Sequence, residues 1–223
     1  MENLLYDLGD GVRAFSTRRD CMPSFHIVMG HQVHDDRVAI VDSPDLTRED
    51  LEGYDALVTR LPGCPIAVRT ADCVPVLLYD PVEKIVAAVH SGWKGTVKRI
   101  SQKTISVMAT TFGCKSANLR AAIGPCIGPD SFQVGEDVVM IFKEQSFPLE
   151  DIWFFNKGEG ESPMYHGHHI DLVKANRWLL EEAGVLTENI RASGIDTYTD
   201  ESFFSARREG ISCGRILSVI EIR

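Results

Sequence analysis

The sequence predicts a single α/β domain over residues 1–223, with a mixed β-sheet and helices packed outside it in a layered α/β/α arrangement. Three observations support this fold class. The chain has 223 residues, of which 44% are hydrophobic, enough to bury one full core. Several short apolar runs are continuous, which is typical of strands covered on both faces. Longer segments instead show the periodicity of amphipathic helices.

Short apolar runs separated by turn residues mark the candidate strands. A run of four to eight such residues bounded by turn signals is typical of a strand. The segments are residues 12–17, 37–41, 56–59, 65–68, 74–79, 84–90, 119–123, 190–195 and 215–220. Their order in the sheet cannot be read from the sequence.

Residues 94–112 predict the first long helix, which Gly113 ends. Its buried stripe consists of Val97, Ile100, Thr104, Met108 and Phe112. A second helix begins at Asp171 as its N-cap and ends at Gly184. Its buried stripe consists of Leu172, Ala175, Leu179 and Ala183. A third helix is predicted over 136–144, and the polar stretch 156–163 is predicted to be a flexible loop.

Composition and charge exclude several classes of function. The net charge of −9 argues against non-specific nucleic-acid binding, which depends on Lys and Arg. The acidic start does not fit a signal peptide, and no stretch is long enough to span a membrane, so we expect a cytoplasmic protein. The six cysteines include no CxxC pair, which favours free thiols in a reducing compartment. The oligomeric state stays open.

Three residues have the chemistry of metal ligands: His34, Cys73 and His90. The 17-residue spacing from Cys73 to His90 fits an antiparallel hairpin that brings the two side chains together. Two imidazoles and one thiolate suit a catalytic zinc ion with a vacant position for water, and the same set occurs in blue-copper centres. Isolated His and Cys residues are more often inert, so the residues alone leave a purely structural interpretation open.

Further candidates surround this trio in the sequence. Asp72 is a candidate general acid or base, or an acceptor that orients a ligand histidine. The turn from Ser91 to Lys94 opens a helix and predicts a phosphate cradle, with Lys94 as a catalytic cation. The candidate substrate contacts are Arg60, Ser91, Cys126, Arg207 and Arg208. Each also has an ordinary structural interpretation, as a surface cation or a turn residue.

The sequence YHGHHIDL contains a tract of three histidines that resembles a metal site. His166, His168 and His169 precede the helix cap Asp171, and their neighbours are typical of a loop. We therefore expect a solvated loop here rather than a ligand set.

Several motifs occur in a characteristic order: QVHDDRV, VRTADCVPVLLYDP, AAVHSGWKG, AAIGPCIGPDSFQVGEDV, IDLVKAN and FFSARREGISCGR. Together they resemble the laccase-domain family, first described as multicopper polyphenol oxidases and now as purine nucleoside phosphorylases or peptidoglycan editing factors. The resemblance implies a zinc ion on His34, Cys73 and His90. It also implies phosphorolysis of adenosine, inosine, guanosine or methylthioadenosine, together with deamination of adenosine. The partners implied are a nucleoside and phosphate.

The sequence departs from the family pattern in two places. The segment between Arg18 and His31 is much shorter than usual, which shortens one wall of the expected pocket. Asp196-Thr197 stands where family members commonly have Cys-Thr. Neither departure touches the three predicted ligands.

Three other classes of function stay open on the sequence. One is an amidase that acts on a UDP-muramyl amino acid, with Cys73 as nucleophile beside His90. A second is a copper-dependent phenol oxidase, although seven histidines are too few for a multicopper cluster. A pure binding module is the third.

Overall fold

Two mixed sheets form the centre of the fold, and a smaller third sheet accompanies them. The computed structural model describes residues 2–158 and 166–223. Within them, the six-stranded sheet has the spatial order β13 (Ile190–Ala192), β9 (Arg120–Ile123), β7 (Val74–Asp80), β8 (Ile85–Ser91), β5 (Ala56–Thr59) and β4 (Val38–Ile40). The five-stranded sheet has the order β1 (Leu4–Tyr6), β2 (Val12–Ser16), β14 (Ile216–Ile222), β6 (Ile66–Thr70) and β3 (Val28–Met29). The third contains β10 (Gln133–Val134), β12 (Gly167–Ile170) and β11 (Trp153–Asn156).

The helices of the described residues are mostly short. They are α1 (Trp93–Val97), α2 (Ile100–Phe112), α3 (Glu136–Glu144), α4 (Leu149–Ile152), α5 (Leu172–Glu182) and α6 (Ala206–Glu209). None of them combines the length and the apolar character that crossing a membrane requires.

The two faces of the six-stranded sheet pack against different elements, helices on one face and the five-stranded sheet on the other. Val76 and Leu78 of β7 belong to a core shared with α2 and α5, whereas Leu77 belongs to a core shared with Ile66 and Ile220 of the five-stranded sheet. The single-domain mixed α/β class is thus confirmed. The layers run from helices to six-stranded sheet to five-stranded sheet, which differs from the α/β/α order predicted. A continuous apolar strand is covered equally well by helices or by a sheet, so its sequence does not distinguish them.

Every predicted strand segment forms a strand, with ends shifted by a few residues. The strands that the sequence analysis missed are β1, β3, β10, β11 and β12. These elements are two to four residues long, too short to show an alternating pattern.

The predicted helix over 94–112 is interrupted in the structure. Arg99 adopts a left-handed conformation with φ of 61°, so α1 ends at Val97 and α2 begins at Ile100. Its guanidinium donates to Glu182 at 2.5 Å and lies 5.1 Å from the ring centre of Trp178. Contacts with distant residues thus hold a backbone conformation that local helix propensity disfavours.

The other helix predictions are confirmed. Gly113 ends α2 with φ of 77°, and α3 has the bounds predicted for the third helix. The carboxylate of Asp171 caps α5 by accepting the Lys174 backbone N–H at 2.9 Å.

The cap at Asp171 allows a direct test of this helix start. We expect Asp171→Ala to lower the free energy of unfolding by about 1 kcal/mol, because one N–H of the first turn loses its acceptor. The melting temperature then falls by about 2–4 °C in calorimetry. Asp171→Asn, which retains an acceptor oxygen, serves as the matched control, and an equal loss in both variants would contradict the capping role.

The prediction of a solvated loop for the histidine tract is wrong for His168 and His169, and holds only for His166, which is exposed and lies outside the strand. His168 and His169 lie in β12, and His169 is fully buried. The His169 ring stacks on Phe154 with centres 5.0 Å apart, and its Nδ1 lies 2.8 Å from the Pro129 carbonyl oxygen. Pairing with β10 and β11 overrides the loop-like local composition. Of the polar stretch 156–163, Asn156 ends β11, and residues 159–163 lie outside the described residues.

Candidate metal centre

The side chains of His34, Cys73 and His90 converge on one point. One ligand atom from each lies within 4.8 Å of the other two, and the imidazole centres of the two histidines are 4.8 Å apart. Strands β7 and β8 pair antiparallel with Val74 opposite Ser91, which brings Cys73 beside the end of β8. The hairpin expected from the 17-residue spacing therefore forms.

Asp55 orients two of these three residues. Its carboxylate, fully buried, lies 2.7 Å from Nδ1 of His90. It also accepts the backbone N–H groups of Val33, His34 and Asp35 at 3.0–3.1 Å. Because Nδ1 of His90 is held by a carboxylate, its Nε2 is available as a ligand atom. The sequence analysis missed Asp55, which no local motif distinguishes from other acids that precede strands.

Gln32 and Gly92 shape the same site by different means. The Gln32 amide donates to the Arg69 carbonyl at 2.9 Å and accepts the Arg69 N–H at 2.8 Å, which fixes the loop that carries His34. A Cβ atom at Gly92 would lie 2.9 Å from Sγ of Cys73. Any larger residue at this position would therefore clash with the Cys73 thiol. This contact explains the glycine that follows His90-Ser91 in the HSGWKG motif.

The charges at the trio favour the ligating form of the thiol. Burial by itself raises the pKa of Cys73, but the adjacent imidazoles of His90 and His34 outweigh it and lower that pKa to about 6. Burial likewise opposes protonation of His90, yet Cys73 and Asp55 raise its pKa to about 9. Two imidazoles and a thiolate are the soft and borderline donors that a tetrahedral zinc site uses.

The spacing of the ligand atoms also fits one ion. Zinc bonds of about 2.0–2.3 Å in tetrahedral geometry separate ligand atoms by about 3.4–3.8 Å. The three ligand atoms lie within 4.8 Å of one another, so the widest separation exceeds that range by about 1 Å, which small side-chain rotations can remove. The donor set therefore fits a divalent transition metal with three protein ligands and one further position.

A cavity of about 580 Å³ contains the trio in its wall. Its other lining residues include Arg48, Arg69 and Arg215. Among the described residues, no Asp or Glu lines this cavity. A negatively charged or hydroxyl-rich ligand is the kind that such a wall accepts.

The two candidate catalytic residues outside the trio do not line this cavity. Asp72, with φ of 85°, accepts the Thr197 hydroxyl at 2.7 Å and the Arg207 backbone N–H at 2.6 Å. Asp72, which directly precedes Cys73, is thereby bonded both to helix α6 and to the loop that contains Thr197. Lys94 is exposed, and its ammonium lies 5.7 Å from the ring centre of Trp93.

The candidate substrate contacts also lie outside the cavity lining. Ser91 is buried and lies 3.1 Å from the Thr96 hydroxyl. The guanidinium of Arg208 donates to the carbonyl groups of Thr197 and Tyr198. Arg60 is exposed, and Arg207 donates to the Gln133 carbonyl. Cys126 is buried in the wall of a separate cavity of about 280 Å³.

Asp196, one of the two departures from the family pattern, has a structural role. Its carboxylate accepts the N–H groups of Gly128 and Tyr198, both at 2.9 Å, and the Ser131 hydroxyl at 2.6 Å. These bonds join the Gly-Pro turn to the segment that contacts Asp72.

The chain is similar to several known proteins. The model of the multi-copper polyphenol oxidoreductase laccase family matches residues 11–223. Adenosine deaminase RL5 from an unknown prokaryotic organism is 44% identical over 87% of this chain and 74% of its own length. A purine nucleoside phosphorylase of Bacteroides thetaiotaomicron is 43% identical over 78% of this chain and 63% of its own length.

A solved structure has the same fold. The hypothetical protein YfiH of Bacillus licheniformis superposes with a TM-score of 0.86 at 28% identity, over 99% of this chain and 96% of that one. The motifs, the fold and the clustered His, Cys and His side chains thus lead to one assignment: the chain belongs to the multi-copper polyphenol oxidoreductase laccase family.

Proposed function

We propose that this chain is a zinc-dependent purine nucleoside phosphorylase that also deaminates adenosine. The observation that carries the proposal is the grouping of three side chains with the spacing of metal ligands in the wall of a cavity that, among the described residues, has cationic and no acidic lining. The names of the relatives support it, since the proteins 43% and 44% identical are called purine nucleoside phosphorylase and adenosine deaminase. The substrates would be a purine nucleoside with phosphate or with water.

The chain's own residues have distinct tasks in this proposal. A bound divalent ion supplies Lewis-acid polarisation of a water or a substrate oxygen. Asp55 keeps the proton of His90 on Nδ1 and so keeps Nε2 aimed at the ion. Gln32 holds the His34 loop against β6 through the backbone of Arg69. The arginines of the cavity supply positive charge for an anionic co-substrate.

Both reactions balance without a further reagent. In phosphorolysis, a phosphate oxygen bonds to C1′ while the C1′–N9 bond breaks, and the base leaves with a proton to give ribose 1-phosphate and free purine. In deamination, a water oxygen bonds to C6 of adenosine while the C6–N bond breaks, giving inosine and ammonia. Phosphate is required only by the first reaction.

Zinc is proposed rather than a multicopper cluster because of the ligand inventory. The residues in 2–158 and 166–223 contain one group of three or more His, Cys, Asp or Glu side chains with metal-like spacing, the trio itself. A multicopper oxidase needs further ligands for additional ions. An intense visible absorption band from a copper thiolate in the purified protein would favour the copper alternative.

The proposal is tested by metal analysis and product analysis on the purified protein. We expect about one zinc ion per chain, hypoxanthine from inosine only when phosphate is present, and inosine from adenosine without phosphate. Removal of the metal with a chelator abolishes both reactions, and added zinc restores them. Inactivity on all nucleosides, with release of an amino acid from a UDP-muramyl amino acid instead, would contradict the proposal.

A further inference from the structure

Three arginines line the same cavity as the metal trio, although they are distant in sequence. Arg48 lies between β4 and β5, Arg69 lies near the end of β6, and Arg215 directly precedes β14. Burial, together with the like charges of Arg48 and Arg215, lowers the pKa of Arg69. The three cations are therefore close enough to repel one another, in a cavity that no described carboxylate lines.

The guanidinium groups differ in what they contact. Arg215 donates to the carbonyl oxygens of Ile211 at 2.8 Å and Gly214 at 3.0 Å, so it holds its own loop in shape. Arg48 and Arg69, by contrast, form no side-chain hydrogen bond or ion pair within the described part of the chain. Other arginines, such as Arg19 and Arg99, are paired with glutamates.

We propose that Arg48 and Arg69 form an oxyanion subsite inside the metal cavity, where they bind the phosphate co-substrate. This inference rests on the proposed function and deepens it. Arg215 contributes charge and fixes the 211–214 wall beside the subsite.

The chemistry of the two groups supports this assignment. A guanidinium presents a planar fork of donors that matches the oxygens of a phosphate, and bonds to an ionised acceptor are the stronger ones. Repulsion between two unpaired cations and a third nearby destabilises the ligand-free protein, and a bound phosphate dianion offsets that repulsion. No described carboxylate lines this cavity, although Arg48, which is exposed, also borders a smaller cavity lined by Glu49 and Glu52.

The turn from Ser91 to Lys94 is a weaker position for the same anion. Ser91 is buried and lies beside the Thr96 hydroxyl, while Lys94 is exposed and does not line the cavity. The α1 helix that follows has only five residues, which leaves little dipole at its start. The subsite proposed here therefore differs from the one expected from the sequence.

The subsite separates the two proposed reactions. Phosphorolysis needs the phosphate oxygen at C1′, whereas deamination consumes only water. Loss of the arginine forks should therefore weaken phosphate use much more than deamination, and the ratio of the two rates becomes the decisive quantity.

The test is to measure the steady-state kinetics of the zinc-loaded wild-type protein and of three single variants. Two of them, Arg69→Gln and Arg48→Gln, alter the subsite, and Arg191→Gln is the control. Arg191 is exposed on β13 and outside the metal cavity. We expect each of the first two variants to raise the KM for phosphate by about 10- to 100-fold, as loss of a charge-assisted bond does. The ratio of inosine phosphorolysis to adenosine deamination falls accordingly, while Arg191→Gln leaves it unchanged.

A binding measurement keeps the subsite testable apart from catalysis. Titration calorimetry with inorganic phosphate should give weaker binding by a similar factor in Arg69→Gln, whether or not the wild type turns over nucleosides. Wild-type protein that binds phosphate through Arg69 but cleaves no nucleoside would contradict the proposed function and keep the subsite. Unchanged phosphate binding and KM in both arginine variants, or a raised KM only in Lys94→Ala, would overturn the subsite.

Discussion

Cys73→Ala should remove the metal from the purified protein and lower phosphorolysis and deamination by more than about 100-fold. Loss of a residue that only orients a ligand typically costs 10- to 100-fold, so loss of a ligand itself costs more. Cys73 supplies the thiolate of the trio, and its lowered pKa reflects how strongly the two imidazoles stabilise that charge. Elemental analysis and the product assays measure the two effects.

A matched control separates ligation from a general loss of thiol. Cys213 lines the same cavity but does not belong to the group with metal-like spacing. Cys213→Ala should retain the metal of the wild-type protein. The fold of both variants is checked by circular dichroism, since β7, which follows Cys73, is buried along its whole length. Full metal content in Cys73→Ala would refute the trio as the binding site.

Asp55→Ala should cause the largest loss of stability of any single change considered. The substitution removes a fully buried carboxylate that accepts three partly buried backbone N–H groups and holds the buried His90 imidazole. Buried donors left without an acceptor cost about 1–3 kcal/mol each, and a broken buried ion pair costs about 3–5 kcal/mol. Because these losses are not additive, we expect the free energy of unfolding to fall by about 3–5 kcal/mol.

Urea unfolding of the chelator-treated proteins measures this loss without a contribution from metal binding. The matched control is Asp50→Ala, whose exposed carboxylate bonds to Thr47 and should cost less than about 1 kcal/mol. Competition with a chelator should also show zinc affinity reduced by about 10- to 100-fold in Asp55→Ala. Wild-type stability and affinity in this variant would show that Asp55 does not organise the site.

Local patterns were sufficient for a large part of the fold. The predicted strands all form, and α3 and the capped start of α5 lie where the sequence places them. Strand runs, helical stripes and caps depend on residues within about one or two turns of each other, so they can be read from neighbours along the chain. The metal trio followed from the order of three motifs and from the hairpin spacing that joins Cys73 to His90.

Contacts between distant segments decided the rest. The bond between Asp55 and His90 spans 35 residues, and the paired bonds between Gln32 and Arg69 span 37. The break at Arg99, the burial of His169 and the choice of a sheet as the second cover likewise depend on partners far along the chain.

The sequence by itself determined most of the longer elements, the family and the three candidate metal ligands, because each leaves a signal in a short stretch of residues. Only the tertiary structure decided which acid orients His90 and which cations share the metal cavity. The residues that flank an acid or an arginine in the sequence do not show whether it lies at the surface or in a site. Only the contacts between separate strands and loops distinguish the two cases.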